Sequence, residues 1–498
     1  MRYWISFWDK AKWIAVACLS AISVGRVSAL EDPRDWDRWA ERPTETVLNQ
    51  FTQQMADAGL FASRHDPRTF LPAPEKQLRL NKIPVGSMAF GLHLTVDNAS
   101  IDDVSLLPAN LNLFSLTLVG FDRGEQSMLA VARQKELRSL STMDCKIKDG
   151  DLQHLTELVQ LETLNLKGAS VSGPGFRHLL KLPALESLDV DMSPEQFRDL
   201  LSFELVHLLP YAHGPNRSTV RDDNSITDLE LNGFYGFKVS DPMLEGIDRL
   251  QSIQRLDLIE AGITDQALLQ ILKLPQLQSL NLERTKITDE TLRGLSASSK
   301  IQSLILDETV VTSEGMLHLL SFPQLAELHL NRCKLDDSAL ASLSQLKHLT
   351  KLEIGATSVQ FEIDSSPDAF LCLRHLNLNG SRLTNKGLAS VSTLPRLTWL
   401  DLTLCNVGEE GFAKLGTCQT LEFLYLNRSG VSDGALQNLS SLKNLRILSL
   451  NSTTISDGGL VHISKMTRLE SLDLSGTHVS KAAVRQLQAR LPNCLIVR

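Results

Sequence analysis

Aromatic residues are scarce in this chain of 498 residues: Phe, Trp and Tyr make up 5% of it, with only 6 Trp and 4 Tyr. Such a composition suits a core built of leucine. Positive charge is not in excess either. Lys and Arg number 50 against 58 Asp and Glu, a formal net charge of −8. That balance gives no general attraction to nucleic acid or anionic lipid. Catalytic signatures are also missing. There is no G-x-S-x-G, H-E-x-x-H, C-x-x-C or G-x-x-x-x-G-K-[ST]. Gly173-Pro174-Gly175 lacks the third glycine of a dinucleotide turn. Asp189 to Ser193 opens like a calcium loop, but Pro194 stands where glycine is needed and Leu200 where a bidentate glutamate is needed. His329 and His375 fall two turns apart in the repeat described next, which does not suit metal ligation. The expectation is a non-enzymatic chain with no cofactor and no metal.

What the sequence does have is a period. Residues 277–300 read LQSLNLERTKITDETLRGLSASSK, and the next block starts 24 residues on at Ile301. Leu280 and Leu282 are two apart, on one face of a short strand, and Asn281 between them points the other way. Leu292 and Leu295 are three apart, on one helix face. Thr288 or Asp289 can cap that helix, and Asp289 and Glu290 suit its positive end. Leu-Pro steps, as at Leu274–Pro275 and Leu394–Pro395, stop the helix and return the chain to the next strand. A period in this range marks a solenoid, which grows by adding turns.

The repeated pattern L-x-x-L-x-L-x-x-[TSC]-x-[ILV]-[TSDG] resembles the leucine-rich repeat superfamily, in a 24-residue bacterial or cysteine-containing-like subclass. The resemblance implies an α/β solenoid: a horseshoe with a parallel β-sheet on its concave face and short helices on its convex face. It also implies protein–protein recognition. One departure stands out. The superfamily's usual asparagine at the ninth position is replaced by Thr285, Thr309, Cys333, Thr357, Ser381, Cys405, Ser429, Thr453 and Thr477. These hydroxyls and thiols are shorter donors that can still serve backbone carbonyls.

Residues 1–29 carry Arg2, Lys10 and Lys12, a 12-residue apolar run from Trp13 to Val24, and Val27-Ser28-Ala29. Basic segment, apolar run and small-residue cleavage site together read as a signal peptide, so export to periplasm, cell envelope or medium is expected. An uncleaved anchor is the alternative, although the run is short for a span, and no transmembrane segment is expected in the mature chain. Residues 30–90 read as a polar segment with a capping helix over 44–60, then an extended connector over 61–85 holding four prolines. The solenoid covers 91–490. A degenerate first turn near Gly91 precedes clear turns at Leu113, Leu137, Leu161, Leu185 and Ile226, and then ten in unbroken register from Ile253 to Leu469. An insertion occupies 194–224, its first part helical through Phe197, Leu200, Leu201, Leu205 and Leu208, its second part of loop composition. Residues 491–498 read as a C-terminal cap.

After cleavage six cysteines remain, and register argues against pairing them. Cys333 and Cys405 lie three turns apart, roughly 14 Å at about 4.8 Å per strand, whereas a disulfide needs Cα atoms within about 7 Å. Free, buried thiols are expected.

Function then rests on surface shape. Reading the outward positions of neighbouring strands gives a strip of His329, Arg332, Glu353, His375, Asn377, Trp399, Asp401, Phe423, Tyr425 and Arg428. Trp399 and Phe423 share the third position on adjacent strands and should be neighbours, with Tyr425 beside them. Aromatic and arginine side chains are common interface anchors. The strip is read as the binding site of a protein, or of a glycan, on a chain expected to be a monomer. The 194–224 insertion is a second candidate contact. A substrate adaptor of ubiquitin-ligase type is the alternative role, since F-box proteins can carry similar repeats, although residues 30–90 show no convincing F-box.

Overall fold

The structure is a computed structural model and describes residues 69–73, 76–85, 89–97, 113–191, 193–210, 212–213, 226–231, 239–295, 300–363 and 369–498. The signal peptide read in residues 1–29, the capping helix read over 44–60, the stretch 98–112 that follows the start of the degenerate first turn, and the second half of the 194–224 insertion lie outside these. The chain divides into two compact units, Met1–Thr227 and Asp228–Arg498. The division falls where the 24-residue spacing breaks.

In the first unit β1 (Thr69–Ala73), β2 (Lys76–Val85) and β3 (Ala89–Asp97) are antiparallel neighbours. Then β4 (Leu113–Val119), β5 (Ser139–Met143), β6 (Thr163–Asn165) and β7 (Ser187–Asp189) follow in parallel. The extended connector expected over 61–85 is thus corrected: most of it forms two strands of the sheet. The physical reason is that the first parallel strand has an open edge whose N–H and C=O groups need partners, and β2 supplies them along the whole length of β3. The first part of the insertion is helical, Pro194–Ser202, as the sequence reads. Ser193 caps it, with Gln196 N–H donating to Ser193 Oγ at 3.1 Å and Ser193 N–H to Gln196 Oε1 at 3.0 Å. Phe197, Leu200, Leu201, Leu205 and Leu208 are all buried. A short strand, β8 (Ala212–His213), follows.

The second unit is an open, unclosed α/β solenoid. Its strands, β9 (Asp228–Glu230) to β20 (Leu495–Val497), pair in parallel and in chain order. From β10 on, each pairs residue for residue with the strand 24 positions on, as in Leu280 with Leu304, while β9 pairs with β10 at 27 positions, as in Leu229 with Leu256. Most of these strands are three residues long, a buried leucine flanked by two half-buried residues. Helical segments form the opposite layer, some α, such as Asp289–Leu295 and Asp433–Leu439, others 3-10, such as Glu314–Ser321. The turn from Leu349 is the exception. Its sequence after Val359 shows no helical segment among the described residues, and Phe361 and Phe370 are buried there with rings stacked 5.8 Å apart.

Four positions explain why the spacing is so strict. The eighth residue of each turn in the unbroken run has positive φ: Glu260, Arg284, Glu308, Arg332, Ala356, Gly380, Leu404, Arg428, Ser452 and Gly476. A left-handed residue costs about 1–2 kcal/mol unless it is glycine. It persists because it bends the chain while keeping the N–H in the ladder, as where Arg284 N–H donates to Asp307 O at 2.9 Å. The ninth residue serves carbonyls, as the sequence reads. Thr285 Oγ1 donates to Leu282 O in its own turn at 2.6 Å, while Cys333 Sγ reaches Leu306 O of the preceding turn at 3.1 Å. Cys333 and Cys405 are free and buried, and burial pushes both thiols up to about 11. Cys372 is only half-buried.

The thirteenth residue does something the sequence reading did not assign. Thr288 or Asp289 was expected to cap the helix that follows, and Thr288 does so, with Glu290 N–H donating to its Oγ1 at 3.3 Å, while Asp289 looks elsewhere. Asp289 accepts from the next turn, from Thr312 N–H at 2.8 Å and Thr312 Oγ1 at 2.6 Å. Asp265 does the same with Thr288, at 2.8 Å for both, and Asp457 with Ser480 at 2.6 and 2.8 Å. The fifteenth residue of the next turn packs against this carboxylate. A Cβ on Gly315 would lie 2.2 Å from Asp289 Oδ1, and Ala267, Thr291 and Ala339 hold the same place in other turns.

Leu376 is fully buried, so Leu376→Ala will cost about 2–5 kcal/mol through the cavity it opens. Asp289→Ala removes two charge-assisted bonds and will cost about 1.5–3 kcal/mol. Chemical denaturation checks both; an unchanged midpoint for either contradicts its assigned place.

Candidate functional site

Parallel register places equivalent side chains on one face about 4.8 Å apart. The sequence candidates fall into three groups there. His375, Trp399 and Phe423 stand first in their strands, and His329, Glu353, Asn377, Asp401 and Tyr425 stand last. All eight are half-buried. Arg332 and Arg428 occupy the left-handed eighth position and are exposed at the rim, φ 60° and 52°.

The aromatic residues do come together, with different partners from those expected. Trp399 and Phe423 are register neighbours, but the Trp399 ring lies on His375, centroids 3.6 Å apart and planes within 9°. Its other neighbour is Tyr425, at 5.2 Å and tilted by 44°. Phe423 is covered by the Arg446 guanidinium, 5.8 Å above its ring. A cation over a ring face is attracted by the ring quadrupole.

Beside the stack lies a charged cluster. Lys351 Nζ bridges Glu327 Oε1 at 2.7 Å and Glu353 Oε1 at 3.3 Å. His329 Nε2 meets Glu327 Oε1 at 2.9 Å. Asn331 Nδ2 donates to Asp307 Oδ2 at 3.0 Å and to Glu353 Oε2 at 3.2 Å, and Asn377 Nδ2 reaches Glu353 Oε2 at 3.3 Å. His375 Nε2 is 3.4 Å from Glu353 Oε1 but makes no hydrogen bond of good geometry. Burial alone would raise the pKa of Glu353; the His375 and His329 rings, the Asn331 amide and the Lys351 ammonium outweigh it and hold the carboxyl well below the usual range. Asn331, Asn377 and Lys351 are the partners of Glu353, since His375 lacks the geometry of a hydrogen bond. Burial has the opposite outcome at Asp307 and Asp401, whose pKa values are raised despite donors from Asn331 and Thr403.

Asp307, Glu327, Asn331 and Lys351 were not among the sequence candidates, although they complete the cluster. The Asp307 side chain is only 17% exposed. The available signal was alignment: Asp307 and Asn331 hold the seventh position of adjacent turns. Among the described residues no three His, Cys, Asp or Glu side chains are grouped to hold a metal, and no helix is long and apolar enough to cross a membrane.

A family model described as Leucine Rich repeat matches residues 371–392, the turn that starts at Leu373. No curated protein matches the chain. Among solved structures, the TLR13–ssRNA13 complex aligns with a TM-score of 0.50 and 17% identity, over 79% of this chain and 63% of that one. The mouse RP105/MD-1 complex gives 0.48 and 19% over 79% and 67%. An internalin from Listeria monocytogenes gives 0.42 and 17% over 77% and 86%. At these identities the likeness is one of fold. The fold is that of a leucine-rich repeat solenoid, with an aromatic stack beside a network of paired charges on its strand face.

Asp401 offers a test of the burial argument. Its Oδ1 accepts from Thr403 N–H at 2.7 Å, a bond that asparagine can keep. A carboxyl whose folded pKa is raised weakens the fold as pH climbs from the unfolded value, about 3.9, through the folded one. Asp401→Asn will therefore melt slightly above the wild type at pH 8, and the gap will close toward pH 4. A loss of stability equal at both pH values contradicts the assignment.

Proposed function

We propose that the chain is an exported, non-enzymatic scaffold that holds a protein partner on the strand face of its second unit, through the strip from His329 to Arg428. The observation that carries this is the stacked His375, Trp399 and Tyr425 set beside Glu353 and Asn377. Half-buried rings next to ordered polar groups are what an interface hot spot requires, because little entropy is left to lose on binding. Export rests on the leader pattern of residues 1–29.

The TLR13 structure holds ssRNA13. A nucleic acid is a poor match for the present face, where Asp257, Glu327, Glu353 and Asp401 stand on four of the strands and Asp307 just past another and the chain's net charge is −8. Phosphates would meet repulsion there. A protein surface offering a basic or aromatic side chain to the stack is the better complement. Arg332 and Arg428 would contact such a partner from the rim.

Affinity capture tests the reading, with the chain from Glu31 onward as bait and envelope and medium extracts as prey. The control bait carries Trp399→Ala, Phe423→Ala and Tyr425→Ala and is first shown to fold by circular dichroism. A protein held by the wild type and lost by the triple variant is the expected result. A partner held equally by both baits contradicts the strip as the binding site.

A further inference from the structure

A second surface lies at one edge of the strand layer in the same unit. It is a cleft of about 520 Å³ lined by Arg374, Arg396, Arg446 and Arg468, with Glu422 and Asn444 among its other walls. We propose that this cleft binds an acidic polypeptide segment in extended form. The reading does not rest on the aromatic strip, which the cleft meets where Arg446 covers Phe423.

Position explains the cluster. Arg374 and Arg446 hold the second residue of their turns, and Arg396 and Arg468 the residue just before a turn begins. Members of each pair are three turns apart, about 14 Å at about 4.8 Å per strand. The two rows run side by side along the stack. Four guanidiniums face one carboxylate of the lining, in a protein whose overall charge is negative.

The arginines are not equally occupied. Arg446 is held bidentate by Glu470, at 2.8 and 2.9 Å, and lies 3.5 Å from Glu422. Arg468 Nη1 donates to Asn444 Oδ1 at 2.7 Å, a neutral partner. Arg374 and Arg396 are exposed, and among the described residues no carboxylate pairs with either. Three cations thus have guanidinium forks open to a carboxylate, the geometry arginine matches best.

Spacing and lining favour a peptide. Residues i and i+4 of an extended chain are about 13.6 Å apart at about 3.4 Å per residue, close to the separation within each arginine pair. The remaining lining is Thr, Gln, Asn and Pro, with no aromatic ring. A nucleobase or sugar face would have nothing to stack on, whereas a peptide backbone finds donors and acceptors. Glu422 disfavours acid near the middle of the segment, so the preferred ligand carries two acidic residues separated by three neutral ones.

The experiment uses fluorescence anisotropy of the full chain with a labelled peptide containing Glu-Gly-Gly-Gly-Glu, its Gln counterpart, and a sulfated hexasaccharide. The glutamate peptide is expected to bind, with affinity falling at least tenfold in Arg374→Glu/Arg396→Glu and again between 0.1 M and 1 M salt. Arg374→Gln/Arg396→Gln, which adds no repulsion, should show the same direction. Both variants alter exposed, unpaired side chains, and a melt confirms their fold. Trp399→Ala/Tyr425→Ala should bind the peptide as the wild type does. No binding of the glutamate peptide, equal binding of the glutamine peptide, unchanged affinity in the arginine variants, loss in the aromatic variant, or tighter binding of the hexasaccharide through the same arginines would each overturn the proposal.

Discussion

No turn of this chain can satisfy its own backbone. A strand of three residues, such as Ser279–Asn281, exposes N–H and C=O groups on both edges, and only the turns before and after can pair them. Leu282 N–H donates to Ile305 O and Leu306 N–H to His329 O, and so on along the stack. The strict 24-residue register is the consequence. A residue added within a strand or the bend that follows it would move its leucines out of line with both neighbours, losing packing and hydrogen bonds together. The left-handed eighth residue and the Asp–Thr contact between turns serve the same need at the two ends of the connection. The cost of each is spread over a stack in which every interface repeats it.

The same register governs the surface. Side chains at equivalent positions meet about 4.8 Å apart whether or not their chemistry is compatible, so charges are settled between turns. Arg284 lies between Glu260 and Glu308, and Arg332 pairs with Glu308 again, each at 2.8 to 3.0 Å. Glu353 is surrounded by donors from Asn331, Lys351 and Asn377. Where charges are settled in this way a surface has little pull on a partner. The aromatic stack around Trp399 and the unpaired Arg374 and Arg396 stand apart because stacking register leaves them without a complementary neighbour to neutralise them.

Much of this was written in the sequence because the physics is local or strictly periodic. Leu376 had to face inward, since alternation fixes the face of a strand residue. The hydroxyls and thiols of the ninth position had to meet carbonyls, since no other acceptor is within their short reach. The helical start of the insertion was legible from the spacing of Phe197, Leu200 and Leu201. Tertiary structure alone decided what depends on which neighbour wins a side chain. Asp289 could have capped its own helix, but the Thr of the next turn offers two donors at once. Trp399 could have lain on Phe423, but the ring of His375 sits flat against it and Arg446 takes the phenylalanine. The strands at 69–85 read as connector because their sequence carries prolines and no repeat. They pair because β3 presents an open edge, and an edge exists only once the sheet does.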